Sequence, residues 1–331
     1  MTVFLGLDAG GTKTDCVVLD AAGRLLAETT GGPANPLRVG FAKAFFALED
    51  TARRALTAAQ QETESVHAIC AGVAGAGRPR IVRRLASYLS HAFPQAAVRV
   101  ITDIEIALEA ALAQGNVDRQ SLEAGIVIVA GTGSAAYGRD FSGKTARAGG
   151  WGPWIGDLGS AYDIGRRAIE ATLHARDHLG PPTALGEKIL RAEEGDAAAK
   201  TSKTSKIQDW NAILERIAKR PDAVFPRLFP VVVEAAAAGD AVAQEILAAA
   251  AHSLASLAKA VIDTLDFNDQ PFIVAKSGGV FGHSAHLDAA LDQELARIAP
   301  SAHLDSLRIS PARAAAELAR KSILDIAANG R

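Results

Sequence analysis

The sequence predicts an α/β protein made of two similar units, and three observations support this prediction. Short apolar runs alternate with amphipathic helical stretches in the first third of the chain, in the order β-β-β-α-β-α-β-α. A pattern of strand, glycine turn, strand, turn and strand occurs a second time, about 120 residues after the first. Hydrophobic residues make up 49% of the 331 residues, which is enough apolar material for two cores.

The first unit begins with strands joined by tight turns. Its glycine turn leads into a strand, whereas the glycine turn of a Rossmann unit opens a helix. The predicted strands are Val3–Leu7, Cys16–Leu19, Leu25–Thr29, Val66–Ala71 and Val98–Ile101, and the predicted helices are about Phe41–Gln60, Arg78–His91 and Glu105–Ala113.

The second unit is predicted to be mostly helical after Asp157. Its predicted strands are Gly125–Val129, Ala135–Arg139, Thr145–Ala148, Phe272–Ala275 and His303–Ile309. Its predicted helices are Ser160–Leu179, Leu185–Leu190, Ile207–Ala218, Asp222–Ala237, Asp240–Leu265 and Ala285–Arg297, and Pro311–Ala327 closes the chain. The polar, low-complexity run Lys200–Lys206 is expected to be a mobile loop.

Composition excludes several function classes. A formal net charge of −2 leaves no basic excess for a nucleic-acid or membrane partner. The two cysteines, Cys16 and Cys70, lie in apolar strand-like runs and are expected to be reduced core thiols. The start of the sequence lacks the features of a signal peptide, and the longest apolar run, Ile246–Ile262, predicts a buried or amphipathic helix. A cytoplasmic location is therefore expected.

A glycine-rich turn, Asp8–Asp15, follows the first strand. Glycines let the backbone turn with no Cβ in the way, so that N–H groups and threonine hydroxyls can point at phosphate oxygens. Asp8, at the end of the strand, is placed to hold Mg²⁺ directly or through water. An Asx-type hairpin turn uses the same residues and is the alternative interpretation. The candidate nucleotide-binding residues here are Gly10, Gly11, Thr12, Lys13 and Thr14.

Two further glycine turns follow apolar strands in the second unit. The first, Ala130–Ser134, follows the first strand of the second unit, as the Asp8–Asp15 turn does in the first unit. Two facing hairpins can hold a nucleotide's phosphates from both sides. The second, Ser277–Gly282, would let adenine approach the backbone, with Phe281 as apolar cover; a plain strand-to-helix turn is the alternative. The candidates in these turns are Gly131, Thr132, Gly133, Ser134, Gly278 and Gly279.

Asp103 ends a predicted strand and precedes a predicted helix. A carboxylate in this position can accept a proton from a substrate hydroxyl during phosphoryl transfer. A helix N-cap aspartate occupies the same kind of position and is the alternative.

A loop rich in glycine and tryptophan, Gly149–Ser160, is costly to order. Its two tryptophans, Trp151 and Trp154, suggest a wall beside a sugar or another flat ligand, and Asp157 is a strong acceptor for sugar hydroxyls. A structural loop pinned by its tryptophans is the alternative.

These motifs together resemble the sugar kinase/Hsp70/actin superfamily. The run Gly149–Tyr162 (Gly-Gly-Trp-Gly-x-x-x-Gly-Asp-x-Gly-Ser-Ala-Tyr) resembles the N-acetylglucosamine kinase branch, within the family of activator ATPases for 2-hydroxyacyl-CoA dehydratases. The resemblance implies two ribonuclease-H-like domains with a central cleft and helical additions in the second. The expected domains are residues 1–116 joined by a C-terminal helix at 312–330, and residues 117–311.

The resemblance also implies roles for individual residues. Implied ATP contacts are Thr12, Thr132, Gly279 and His283; implied sugar contacts are Asn35, Asp103, Gly150, Trp151, Gly152 and Asp157. Asp103 becomes the expected base for the 6-hydroxyl of N-acetylglucosamine, with ATP and Mg²⁺ as cofactors and a homodimer as the expected assembly. Pro153 and Trp154 depart from the pattern beside the sugar loop.

Three alternatives stay open from the sequence. The substrate could be glucosamine, N-acetylmannosamine or a muramic sugar instead. An activator ATPase would need cysteines placed for an iron–sulfur cluster, which strand-buried Cys16 and Cys70 do not suit. A non-catalytic sugar sensor would bind the sugar without turning over ATP.

Overall fold

The computed structural model describes residues 1–115, 123–200, 210–267 and 270–329. The chain divides into two compact units, Met1–Gly125 with Ser306–Arg331, and Ile126–Asp305. The strands are β1 Val3–Ala9, β2 Thr14–Asp20, β3 Leu25–Gly31, β4 Val66–Val73, β5 Ala97–Ile101, β6 Gly125–Ala130, β7 Ser134–Arg139, β8 Thr145–Gly149, β9 Phe272–Ser277 and β10 Ala302–Ser306.

The helices surround these strands in both units. They are α1 Pro36–Val39, α2 Phe41–Ala58, α3 Pro79–Ala92, α4 Asp103–Gly115, α5 Ala161–Arg176, α6 Leu185–Lys200, α7 Trp210–Lys219, α8 Pro221–Val224, α9 Phe229–Ala237, α10 Ala241–Thr264, α11 Ala285–Ile298 and α12 Pro311–Asn329.

The two sheets share one strand order. The first runs β3-β2-β1-β4-β5, and the second, written from its other edge, runs β8-β7-β6-β9-β10. In the first sheet β1, β2 and β3 are antiparallel neighbours, while β4 is parallel to both β1 and β5. The duplicated strand–turn–strand–turn–strand unit predicted from the sequence is confirmed by this repetition.

The first sheet is covered on both faces. Apolar residues of α2 and α3 pack with one face of β1 and β4, while α12 packs with the other. Helix α12 lies so close to β1 that an ideal Cβ on Gly6 would be 2.0 Å from the Ala312 carbonyl oxygen and 2.1 Å from the Ala316 nitrogen. Glycine in β1 and alanines in α12 therefore let a helix lie directly on the strand that leads into the glycine turn.

Some predicted helices and strands differ from those in the structure. The single helix predicted over Asp222–Ala237 is wrong: α8 and α9 are separated by a 3₁₀ turn, Phe225–Leu228. Pro226 and Pro230 lack backbone N–H groups, which weakens a continuous α-helix here. Buried Phe225 instead packs edge-on against the Tyr162 ring, with centroids 5.0 Å apart.

Other boundaries shift more simply. Helix α6 runs ten residues beyond the predicted Leu190, to Lys200, and β10 ends at Ser306 rather than Ile309. The short helix α1 lies between the predicted strand Leu25–Thr29 and the predicted helix Phe41–Gln60, where no helix was predicted. The mobile loop predicted for Lys200–Lys206 lies outside the described residues, apart from the last residue of α6.

The interior contains the two buried thiols expected from the sequence. Cys16 and Cys70 are buried and unpaired thiols, and burial raises the pKa of Cys70 to about 12. By length and composition alone α10 is long and apolar enough to cross a membrane, but it packs against α5, α9, α11 and β7. It behaves as the core helix expected from the Ile246–Ile262 run.

The close approach of α12 to β1 gives a stability prediction. Gly6→Ala would force the new methyl group into the α12 backbone, so we expect it to lower the free energy of unfolding by about 1–3 kcal/mol or more. Chemical denaturation followed by circular dichroism measures this loss. Gly32→Ala is the matched control, because a Cβ there meets nothing within 4 Å. Equal stability of the two variants would contradict the packing described.

Candidate active site

The turn between β1 and β2, here called the first hairpin (Ala9–Thr14), is closed by its own backbone. The Gly10 N–H donates to the Lys13 carbonyl at 2.9 Å. The Gly10 carbonyl in turn accepts from the backbone N–H groups of Ala34 and Asn35, at 3.1 and 3.2 Å. The hairpin is thus a fixed frame, and it holds the segment that begins at Asn35.

Some side chains of the first hairpin are exposed to solvent, and some already have partners within the protein. Thr12 and Lys13 are exposed, and Lys13 pairs with Asp15 at 2.7 Å, which raises the lysine's pKa. Thr14 is fully buried, and its hydroxyl donates to the Gly32 carbonyl at 2.7 Å. We therefore assign Thr14 to holding the Gly31–Gly32 segment against β2, and not to a phosphate contact through its hydroxyl.

Asp8 and Asp103 influence each other at one edge of the first sheet. Asp8 lies near the end of β1 and Asp103 follows β5, and the parallel register of β1, β4 and β5 brings these ends to the same edge. Burial first, then the nearby Asp103 and Asp15 carboxylates, raise the pKa of Asp8 to about 7. Negative charge is therefore concentrated beside the first hairpin.

This concentration of charge fits a divalent cation. Among the described residues, no cluster of three or more histidine, cysteine, aspartate or glutamate side chains could form a closed protein cage for a metal. Mg²⁺ is usually held by one or two carboxylates together with substrate phosphates and water. Asp8, with Asp103 near it, is the carboxylate pair that matches this donor chemistry.

Asp103 is not the N-cap of α4. Thr102 holds the cap position: its carbonyl accepts from the Ile106 N–H at 3.4 Å, and Glu105 accepts from the Thr102 N–H and hydroxyl at 2.8 and 2.6 Å. The sequence Thr-x-x-Glu is a capping-box pattern, and it leaves Asp103 in the first helical turn. The capping alternative raised by the sequence is therefore wrong.

Asn35 lies beside the first hairpin and caps α1. Its side-chain oxygen accepts from the Leu37 N–H at 3.0 Å. The same oxygen would be 2.7 Å from a Cβ on Gly75, a left-handed residue with φ of 81°. Gly75 was missed from the sequence, although the Ala-Gly turn after β4 marks it. The Asn35 amide nitrogen, on the other side of the group, is suited to a ligand oxygen.

The turn between β6 and β7, the second hairpin (Gly131–Ser134), is also closed by a backbone hydrogen bond, across a turn one residue shorter. The Gly131 N–H donates to the Gly133 carbonyl at 2.9 Å, and the Gly131 carbonyl accepts from the Ala161 N–H at 2.8 Å. Ser134 is buried, with its hydroxyl donating to the Leu158 carbonyl at 2.7 Å. The start of α5 is therefore attached to this hairpin, while the partly exposed Thr132 lies at its tip.

The glycine-tryptophan loop (Gly149–Gly159) packs its backbone on the second hairpin. Gly149, Gly150, Gly152 and Gly159 all have positive φ, and the Gly150 N–H donates to the Ser134 carbonyl at 2.8 Å. Asp157 is buried in a left-handed conformation, φ 56°, and accepts from the Gly152 N–H at 3.3 Å. An ideal Cβ on Gly133 would be 2.7 Å from the Asp157 carboxylate, so this carboxylate lies against the second hairpin.

The tryptophans of this loop do not hold it in place. Trp151 is 75% exposed and Trp154 is 81% exposed, with Ile155 beside them at 83%. The loop is fixed by backbone hydrogen bonds and its buried aspartate. The alternative of a loop pinned by its tryptophans is therefore wrong, and the indoles are available to a ligand.

The third glycine turn meets the second hairpin at the end of β6. Gly278 has φ of 106°, and a Cβ there would be 2.4 Å from the Ala130 carbonyl oxygen, to which the Val280 N–H donates at 3.1 Å. Gly279 faces open space, and His283 is exposed just before α11. The backbone of this turn and the second hairpin thus form one continuous surface within the second unit.

Comparisons with known proteins show which proteins this chain resembles in sequence. The chain is 32% identical to the N-acetylmuramic acid/N-acetylglucosamine kinase of Clostridium acetobutylicum, over 87% of this chain and 88% of that protein. It is 29% identical to the N-acetyl-D-glucosamine kinase of Dictyostelium discoideum, over 97% and 98% of the two chains.

The fold is similar to that of solved sugar kinase structures. A Chromobacterium violaceum protein assigned as an N-acetylglucosamine kinase superposes with a TM-score of 0.73 at 25% identity, over 96% of this chain and 99% of that one. The ROK hexokinase of Thermus thermophilus gives 0.59 at 19% identity, over 97% and 100%. The predicted fold class and superfamily resemblance are confirmed. The profile of the BadF/BadG/BcrA/BcrD ATPase family matches residues 5–317, and the chain belongs to that family.

Proposed function

We propose that this protein transfers the terminal phosphate of ATP to an amino sugar, with N-acetylglucosamine as the first choice. The observation that carries the proposal is the position of Asp103. Thr102 and Glu105 cap α4, while Asp103 interacts electrostatically with Asp8 at the sheet edge beside the first hairpin. Two curated relatives named as kinases of N-acetylglucosamine support the choice of substrate.

In the proposed reaction Asp103 accepts the proton of a sugar hydroxyl, which we take to be the 6-hydroxyl. The sugar oxygen bonds to the terminal phosphorus as the bond from that phosphorus to the bridging oxygen breaks, and ADP leaves. The first hairpin is the proposed donor of backbone N–H groups to phosphate oxygens, and the second hairpin with Gly278, Gly279 and His283 supplies the nucleotide-binding candidates of the second unit. Asp8 would hold Mg²⁺, which would supply neutralisation of phosphate charge.

The proposed sugar contacts are residues that the family resemblance implies. The Asn35 amide donates to a sugar oxygen, while Asp157 and the backbone of Gly150 and Gly152 take hydroxyl groups. An exposed indole at Trp151 suits the apolar face of a pyranose ring. Because one relative is named for N-acetylmuramic acid as well, a muramic sugar is the second candidate substrate.

Several further features belong to the same proposal. We propose a cytoplasmic homodimer with no nucleic-acid or membrane partner, and domains of 1–116 with 312–330 and of 117–311. The activator role is disfavoured because Cys16 and Cys70 are both buried, so neither is placed to ligate a cluster at a surface.

The proposed base gives the test of function. The wild-type protein should release ADP in a coupled assay with ATP, Mg²⁺ and N-acetylglucosamine, and Asp103→Asn should lower kcat by about 10²–10⁴-fold, because the general base is lost. The KM for the sugar and the melting temperature should change little. Asp50→Asn, on the exposed face of α2, is the matched control. No sugar-dependent ADP release from the wild type, with N-acetylglucosamine, glucosamine, N-acetylmannosamine or N-acetylmuramic acid, would contradict the function.

The raised pKa of Asp8 gives a pH prediction for the protein without nucleotide. Between about pH 4 and 7 the folded protein holds a proton on Asp8 that the unfolded chain has released, so this group's contribution to stability falls as pH rises. Asp8→Asn removes this pH-dependent loss of stability, because the amide does not ionise. We therefore expect the variant to gain free energy of unfolding over wild type at pH 8 by more than at pH 5, measured by urea denaturation. If the variant and the wild type differed in free energy of unfolding by the same amount at pH 5 and pH 8, or by more at pH 5, the raised pKa of Asp8 would be contradicted.

A further inference from the structure

The side chain of Arg38 lies against the first hairpin. An ideal Cβ on Gly11 would be 2.8 Å from Nη1 of Arg38 and 3.3 Å from its Cδ, so the arginine occupies the space that a larger residue at position 11 would take. Arg38 is also exposed to solvent. A guanidinium group is thereby held at the tip of a hairpin whose N–H groups are proposed to meet phosphate.

The backbone of Arg38 is fixed by the same bonds that fix Asn35. The Gly10 carbonyl holds the N–H groups of Ala34 and Asn35, and the Asn35 carbonyl accepts from the N–H groups of Arg38 and Val39, both at 3.0 Å. The intervening turn is α1, which begins with a proline and is capped by the Asn35 side chain. The arginine is thus part of the frame of the hairpin, although it is separated from it by more than twenty residues in sequence.

The charge balance of the hairpin shows why such a cation is needed. Asp8 and Asp15 are acidic, and the hairpin's own cation, Lys13, is paired with Asp15. The Thr14 hydroxyl is used by the Gly32 carbonyl. The terminal phosphate of ATP carries the most negative charge of the nucleotide and would meet these carboxylates. Positive charge from outside the hairpin would offset this repulsion, and Arg38 lies against the hairpin at Gly11.

We propose that the Arg38 guanidinium contacts the terminal phosphate of ATP and stabilises its charge during transfer to the sugar. It exchanges no proton: the proton goes to Asp103, and the bond that breaks is the one to the departing ADP. The planar fork of arginine suits two oxygens of one phosphate. This inference rests on the proposed function, since it assumes that the first hairpin binds nucleotide phosphates.

Measured affinities for nucleotides distinguish a phosphate contact by Arg38 from a purely structural role of this residue. A residue that only covers Gly11 would affect ADP and ATP analogues alike, whereas a terminal-phosphate contact affects only nucleotides that carry that phosphate. A third possibility is recognition of the substrate's own anion, the lactyl carboxylate of N-acetylmuramic acid. That role would change turnover with the muramic sugar and leave N-acetylglucosamine unaffected.

The experiment compares Arg38→Ala, Arg38→Gln and Arg38→Lys with the matched control Arg83→Ala, an exposed arginine of α3. We expect Arg38→Ala to lower kcat with N-acetylglucosamine by about 10²-fold or more, as for loss of a donor to transition-state charge. Calorimetric affinity for the non-hydrolysable analogue AMPPNP should fall at least about tenfold, with ADP affinity within about twofold. Millimolar guanidinium should partly restore turnover to Arg38→Ala, and Arg38→Lys should restore less than full activity.

Three results would overturn the proposal. They are unchanged kcat in Arg38→Ala and Arg38→Gln, equal losses of ADP and AMPPNP affinity, or a loss confined to N-acetylmuramic acid. If Arg38→Ala does not fold, Arg38→Gln and Arg38→Lys carry the same comparison. Failure of the kinase proposal has a different outcome, because the wild type would then release no ADP with any amino sugar. The affinities of the wild type and the Arg38 variants for AMPPNP and ADP would still test the contact between Arg38 and the terminal phosphate.

Discussion

The burial of Asp8 close to other carboxylates, at one edge of the first sheet, is the constraint on which the candidate site depends. The parallel neighbours β1, β4 and β5 bring Asp8 and Asp103 to that edge, and the antiparallel partner β2 adds Asp15. The pKa of Asp8, raised to about 7 by burial and these neighbours, shows that the folded protein opposes full ionisation here. A cation would lower the cost of ionising these carboxylates, and in the proposed function Mg²⁺-bound ATP would supply it.

The second unit uses the same strand order with different side chains. Its hairpin is also closed by a backbone hydrogen bond, but its neighbours are a left-handed aspartate and a run of glycines with positive φ. Gly278 and Gly133 are both positions where a Cβ would meet a neighbouring carbonyl or carboxylate oxygen. The duplicated sheet therefore supplies similar frames for two different sets of contacts, and no similarity of side chains between the halves is needed.

The sequence predicts these frames well because glycine turns after apolar strands are local features. Both hairpins, the strand repeat and the buried cysteines follow from patterns within a few residues. Other features depend on partners distant in sequence: the Thr14 hydroxyl donates to the Gly32 carbonyl, and Arg38 lies against Gly11. The cap at Thr102 is different, because its partner Glu105 is only three residues away and the Thr-x-x-Glu pattern is visible in the sequence. The single helix predicted over Asp222–Ala237 is wrong because Pro226 and Pro230 lack the backbone N–H groups of a continuous helix.

The most direct test of the account is a crystal structure of the protein with AMPPNP, Mg²⁺ and N-acetylglucosamine bound. We expect the terminal phosphate to lie on the backbone N–H groups of the first hairpin and an Asp103 carboxylate oxygen to lie about 2.6–3.2 Å from the sugar hydroxyl nearest that phosphate. A nucleotide bound away from Gly10–Thr12, or an Asp103 carboxylate turned away from every sugar hydroxyl, would contradict it.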